Sequence, residues 1–260
     1  MALEKNLSLA NRLISALPAP KRAAFLEYCE LVELKFNEVL TQAGQSLDYA
    51  YFPVDSFVSV VMHSDDAPNV QVAMVGNEGM FHTSLVLRVA TSAFTGRVQG
   101  AGRAWRIHCD ALKFQLLEND CLCDVLNCYV DVCQTHLAQQ AVCMNYHTVG
   151  QRLARWLLMT RDRSHSSELF LTHQVLAFML GVRRESVSRA ASAFEKRGLI
   201  SYSHGYMMLL DEAGLEKLSC NCYQASLLAY EQTLGCWPSS RAGRTPGFKS
   251  LAGADNRRHA

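Results

Sequence analysis

The 260-residue chain predicts an α+β protein in three consecutive parts, and three observations predict it. Short β-branched and aromatic runs separated by turn residues fill residues 36–108. A stretch at 110–145 has helical periodicity and contains neither proline nor glycine. Two short helical patterns joined by a glycine, then a hairpin signal, occupy residues 171–210.

Residues 6–35 read as helical. Leu9, Leu13, Ile14 and Leu17 share one stripe, Pro18 and Pro20 break it, and Ala24, Phe25, Tyr28 and Leu31 form another. Strands are expected at 49–54, 57–62, 70–75 and 103–107, with turns at 44–45, 65–68, 76–79 and 100–102. Short strands at such intervals suit a small β-barrel or jelly roll. In 110–145, Leu112, Leu116, Leu117, Val125, Leu126 and Tyr129 begin an apolar stripe that runs on to Val142 and Met144. One barrel is too small to cover it, so a second copy of the chain is expected to pair along this helix.

Further on, Thr172 is a good N-cap. Val175, Leu176, Met179 and Leu180 form a buried face, and Gly181 ends the helix by adopting the left-handed conformation. Val187, Ala190, Ala191 and Phe194 place the next apolar stripe at i, i+3, i+4 and i+7. Arg184, Glu185, Ser188 and Arg189 fall on the opposite face. β-like runs at 199–202 and 206–210 flank Ser203-His204-Gly205. Helix, turn, helix and hairpin make a winged helix-turn-helix.

Those residue types suit DNA. Arginine bonds guanine O6 and N7 bidentately, and glutamate accepts from cytosine N4. Serine hydroxyls and helix N-terminal amides hold phosphates, which favours Arg183, Ser186 and Ser188 for the backbone. Glu185 lies four residues before Arg189 and can brace it. Charge agrees: residues 148–205 hold nine basic and four acidic side chains, whereas residues 1–147 hold ten and fifteen.

The boundaries follow: 1–109 the barrel, 110–146 a dimerisation helix, 147–222 the winged helix-turn-helix, and 223–260 an extension disordered from about 237. No run approaches the ~20 apolar residues of a membrane span, and the N-terminus lacks a signal-peptide pattern. A cytoplasmic protein without a membrane partner is expected. Its ten cysteines should be reduced thiols there. No nucleophile elbow, phosphate loop or metalloprotease motif marks an enzyme.

The order of parts resembles the cyclic-AMP receptor protein and fumarate-nitrate regulator (Crp/Fnr) family over roughly residues 6–222. The segment GVRRESVSR at 181–189 is similar to the family's recognition segment. The resemblance implies a cyclic-nucleotide-binding-type barrel and a dimer on a palindromic DNA operator, with RNA polymerase as a further partner. It makes Arg184, Glu185 and Arg189 base readers, Ser186 a phosphate contact, and Thr172 and Gln174 backbone contacts from the first helix. VGNEGMF at 75–81 is similar to the family's phosphate-cassette start, which draws Asn77, Glu78, Gly79, Thr91 and Ser92 into an effector pocket. Asn77 stands where the family has glutamate, and Thr91-Ser92-Ala93 stands where it has Arg-Ser-Ala. Without that arginine there is no bidentate clamp on a cyclic phosphate, so an effector other than cyclic AMP is expected.

Its identity and any cofactor stay open. Cys121, Cys123, Cys128 and Cys133 cannot surround a metal from one straight helix, and Cys220-x-Cys222 lacks histidine at zinc-finger spacing, so no metal site is expected. Two alternatives remain: thiol-redox sensing by the dimer-helix cysteines, or cyclic-nucleotide-binding signalling.

Overall fold

The computed structural model describes residues 10–63, 69–164 and 166–235. The expected turn at 65–68, the first stripe's Leu9 and the tail from 237 lie outside them.

The N-terminal third is less helical than its periodicity suggests. Among the described residues of 6–35, the helical segments are α1 (Arg12–Ser15) and α2 (Ala19–Leu26). Asn11 caps α1 by accepting from the Leu13 and Ile14 amides, and Pro18 holds the chain extended before α2. Cys29–Leu34 is strand β1 rather than more helix, pairing antiparallel with β7 (Gly102–His108). Its apolar residues serve both faces, Cys29 and Leu31 packing towards the helices and Val32 and Leu34 towards the strand core. Tyr28, expected inside, is 45% exposed.

Between them run β2 (Val39–Thr41), β3 (Tyr49–Pro53), β4 (Phe57–Met62), β5 (Val70–Val75) and β6 (Thr95–Gly100). They make two antiparallel sheets, β1-β7-β3 and β2-β6-β4-β5. The jelly-roll expectation is therefore met by two open sheets rather than a closed barrel. Val58, Val75, Val98, Tyr51 and Phe81 form a core among these strands. Phe52, Trp105 and Ile107 pack instead with Leu13, Ile14 and Phe25 and with the long helix that follows.

That helix is broken. α3 (Cys109–Glu118) and α4 (Asp120–Tyr146) meet at Asn119, whose backbone leaves the helical region at φ −128°, ψ 85°. Its side chain accepts from the Leu122 amide, so asparagine starts a new helix where no proline or glycine announced one. Leu122, Val125, Leu126, Tyr129 and Val132 are buried, while Leu117 is exposed.

α5 (Val149–Ser164), β8 (Glu168–Phe170), α6 (His173–Leu180), α7 (Arg184–Lys196), β9 (Ile200–Ser203) and β10 (Tyr206–Leu209) complete the winged helix-turn-helix. β8 is a third wing strand that the sequence did not announce; the order is β8-β10-β9. Two helices follow, α8 (Glu212–Leu218) and α9 (Cys222–Tyr230). α9 turns back onto α4, where the Ser226 carbonyl accepts from His136 Nε2 at 2.9 Å.

The C-terminal part is docked on the sheets. Its core cluster includes Phe57 and Met74, and the Trp156 indole donates to Gln71 Oε1 at 2.7 Å. Arg163 of α5 pairs with Glu78 at 2.8 Å, with 11% and 15% of the two side chains exposed.

Two positions on the loop after β5 are tightly constrained. Gly79 lies against the buried Tyr129 phenol, into which any Cβ would project. Gly79→Ala should therefore destabilise the protein by about 1–3 kcal/mol through overpacking, read as a lowered midpoint in urea unfolding. An unchanged midpoint would show that α4 slides freely over this loop.

His82 is held in the left-handed region at φ 73° and is buried, its Nδ1–H donating to the Tyr49 carbonyl at 2.7 Å. Burial lowers its pKa from 6.5 to about 4. The unfolded chain thus takes up a proton first, so this contribution is present above pH 6.5 and lost as pH falls towards about 4. His82→Asn, which tolerates the same backbone, should flatten the fall in stability across that window, by up to ~3 kcal/mol. Parallel acid-unfolding curves for the two proteins check it.

Candidate nucleic-acid interface

The turn between α6 and α7 forms as its residues dictate. Thr172 Oγ1 accepts from the Val175 amide at 3.2 Å, and Gly181 closes α6 at φ 62°, ψ 42°. Leu176, Met179 and Leu180 are buried, but Val175 is exposed, contrary to expectation. The α6 stripe is therefore one residue narrower than its spacing suggests.

On α7, Val187, Ala191 and Phe194 are buried. Their burial fixes the opposite face outward, and Arg184, Glu185 and Arg189 are all exposed there, with Arg183 exposed just ahead. Arg183 occupies the N-cap without any side-chain cap bond, so the first-turn amides of a 13-residue helix are not closed off by a cap. Such an end attracts anions. Ser186 is half-buried beside it, and Gln174 is exposed on the first turn of α6.

One expectation is corrected. Glu185 and Arg189 form no ion pair among the described residues. The Ser188 hydroxyl, expected to face phosphate, also shares a 2.9 Å hydrogen bond with His173 Nδ1. Thr172 likewise uses its hydroxyl as a helix cap. His173, which periodicity did not single out, stacks on Tyr202 at 4.4 Å and 17°. It joins α6, α7 and the wing at one point. Burial and the nearby Arg184 hold its pKa below the ordinary value, so it stays a neutral strut beside the cationic face.

The wing is a tight hairpin with His204 and Gly205 both at positive φ, 51° and 88°. The Tyr202 amide donates to Glu195 Oε1 at 3.1 Å, which fixes the wing to the end of α7.

Charge in this region divides into two sets. Arg152 bonds the Leu180 carbonyl, Arg155 bonds Gln140 Oε1 at 2.6 Å, Arg161 pairs with Asp162 and Glu212, and Arg163 pairs with Glu78. These four hold the fold together. Arg183, Arg184, Arg189, Lys196 and Arg197 are exposed and enter no ion pair among the described residues. The cations available to a polyanion are thus concentrated on α7.

The expected effector residues separate. Glu78, Thr91 and Ser92 line a cavity of about 210 Å³ between β5, the 82–94 loop and α4. Asn77 and Gly79 do not line it; the Asn77 amide donates to the Ala10 carbonyl at 3.1 Å. Glu78 is committed to Arg163 and to the Gly76 amide, and the Ser92 hydroxyl donates to the Phe94 carbonyl at 2.7 Å. Val60, Val75, Met80, Phe81 and Phe94 supply most of the wall, and no arginine or lysine lines it.

Cys220 and Cys222, expected to lack a histidine partner, lie beside His147 and Cys143 from the end of α4. The missing partners come from far away in sequence, where finger spacing cannot find them.

Residues 151–218 match the model of the Crp-like helix-turn-helix domain. No curated protein sequence matches the chain. Among solved structures, a putative Crp/Fnr-family transcriptional regulator from Eubacterium rectale is similar, with 18% identity and a TM-score of 0.62 over 79% of this chain and 96% of that one. FixK2 from Bradyrhizobium japonicum gives 15% identity and a TM-score of 0.62 over 74% and 98%. The c-di-GMP-responsive global regulator CLP of Xanthomonas campestris gives 17% and 0.59 over 74% and 98%. At such identities the structural likeness is one of fold. Residues 151–218 thus carry a Crp-like helix-turn-helix domain, and the fold of the chain is similar to that of these solved regulators.

Proposed function

We propose that the protein is a homodimeric, sequence-specific transcription regulator that reads a palindromic operator and answers an effector other than cyclic AMP. The observation that carries the reading is the exposed, unpaired Arg183, Arg184 and Arg189 on α7, within the matched helix-turn-helix domain. With its buried stripe turned inward, α7 is free to enter a major groove from its N-terminal end. Arg184 and Arg189 then reach base edges, Glu185 accepts from cytosine, and Arg183, Ser186 and Gln174 contact phosphates.

Pairing of two copies along α4 supplies the symmetry of the operator. Leu137, Val142, Met144 and Tyr146 on its second half are exposed, at 38–81%, and a second α4 would cover them. A cavity of 210 Å³ without a cation suits a small apolar effector better than an anionic nucleotide. Thiol sensing at Cys128 and Cys133 is disfavoured, because burial raises the Cys128 pKa and pushes Cys133 up to about 12, leaving little thiolate there.

On an operator selected from random DNA, Arg184→Ala should cost about 1–3 kcal/mol and relax the choice at one base pair per half-site. Equal weakening on every sequence would remove its base-reading role. Wild-type affinity should fall steeply with salt, by a log–log slope of ~0.9 per phosphate neutralised. Isothermal titration with cyclic AMP should give no micromolar binding; a micromolar isotherm would return the cavity to nucleotide recognition.

A further inference from the structure

Three sulfurs and one imidazole converge where the long helix meets the C-terminal extension. Cys143 lies in the last turn of α4, and His147 is the residue that caps it. Cys220 lies in the link between α8 and α9, and Cys222 opens α9. The four ligand atoms all lie within 4.8 Å of one another. The three cysteines form a buried cluster, 2–3% exposed. Cys143 Sγ lies 3.5 Å from Cys220 Sγ, and Cys222 Sγ lies 3.4 Å from His147 Nδ1.

Those separations have a chemical meaning. A tetrahedral zinc ion with Zn–S of ~2.3 Å and Zn–N of ~2.05 Å sets S···S near ~3.7 Å and S···N near ~3.5 Å. Thiols that merely fill space have no reason to gather a ring nitrogen at the same distance.

The surroundings suit bound thiolates. Gln139 Nε2 donates to Cys222 Sγ at 3.0 Å. Arg152 and Arg155 line the same cavity of about 60 Å³ as Cys143. Arg155 is 5% exposed, and its buried Nε–H has no partner. Three thiolates on a divalent cation carry a net negative charge, and these guanidiniums stand where they offset it. Such second-layer donors are the usual company of metal-bound sulfur.

We propose that Cys143, His147, Cys220 and Cys222 form a structural zinc site that clips the end of α4 to the segment following the winged helix. Four protein ligands complete the tetrahedron, so no position remains for water or substrate and the role is structural. The two halves come from sequence separations of four residues (143 and 147) and two residues (220 and 222). The fold closes the long loop between them.

The test is metal analysis of the full-length protein purified under reducing conditions, with zinc(II) and cobalt(II) titrated into chelator-treated protein. We expect about one zinc per chain. The cobalt form should show the intense visible bands of a tetrahedral thiolate site, and zinc should displace them. Cys143→Ser and Cys220→Ser should abolish stoichiometric uptake, while Cys123→Ser, on the same helix but outside the cluster, should keep it. Gln139→Leu should leave the fold intact and weaken zinc about 10–100-fold. If the cysteine variants aggregate, the wild-type titration and the Gln139 variant decide alone. Wild-type protein that takes up neither metal, an octahedral cobalt spectrum, bound iron with sulfide, or a Cys143–Cys220 disulfide in reduced preparations would each overturn the proposal.

Discussion

The buried pair between Arg163 and Glu78 is the constraint on which the arrangement of the two halves depends. Taking both charges out of water is costly, and removing either partner would strand the other at a cost of about 3–5 kcal/mol. The pair is supported on both sides: Glu78 also accepts from the Gly76 amide, and Arg163 donates to the Met159 carbonyl at 2.9 Å. It holds the loop after β5 against α5, the first helix of the DNA-binding part. Around it, the Trp156–Gln71 bond and the packing of Phe57 and Met74 into the C-terminal core leave the two parts little freedom to turn separately.

This pair also explains the pocket. Glu78 is spent on a domain contact, and the cavity it borders has largely apolar walls, with His82 buried and His136 half-buried beside them. The same loop carries Gly79 against Tyr129 of α4, and Tyr230 of α9 donates to the Glu78 carbonyl at 2.7 Å. Strand, long helix, leading helix and C-terminal helix therefore meet at residues 76–79. A ligand entering the neighbouring cavity would press on a point already shared by all four. A displacement there reaches α5 through Arg163 and α4 through Tyr129, so cavity and reader are joined by packed atoms rather than by distance alone.

Much of this was legible in the sequence, for local reasons. Thr172, Gly181 and the Val187–Ala191–Phe194 spacing specify α6, the turn and α7 because caps and stripes are properties of adjacent residues. The hairpin at Ser203-His204-Gly205 is local in the same sense. What escaped was decided at a distance. Cys29–Leu34 has enough apolar residues for a helix, and only pairing with β7 makes it a strand. Asn119 breaks the long helix by capping, an act that asparagine performs without the composition signal of proline or glycine. Arg152, Arg155, Arg161 and Arg163 look like DNA-facing charge in a count, yet each is consumed by a partner far along the chain. Ser188 faces outward on a helical wheel but bonds a histidine that comes from α6.

The same reasoning applies to the join at residues 143–149. In a dimer that reads DNA, this short link between α4 and α5 is where the reader could swing relative to the long helix. His147 leaves the helical region at φ −109°, ψ 143°, so only a few backbone angles separate the two helices. A link this short between two helices is a natural place for a hinge. Here it is bridged from outside by α9, through His136 to the Ser226 carbonyl, Arg155 to the Ser226 hydroxyl and the Cys143–Cys220 sulfur contact. Bending at 147 would have to break these contacts together with the Arg163–Glu78 pair further along α5. Two restraints about two turns apart along one helix oppose its tilting as well as its translation. Helix α7 is therefore presented at an angle fixed jointly by the N-terminal sheets and the C-terminal helix, and repositioning it requires the release of one of the two.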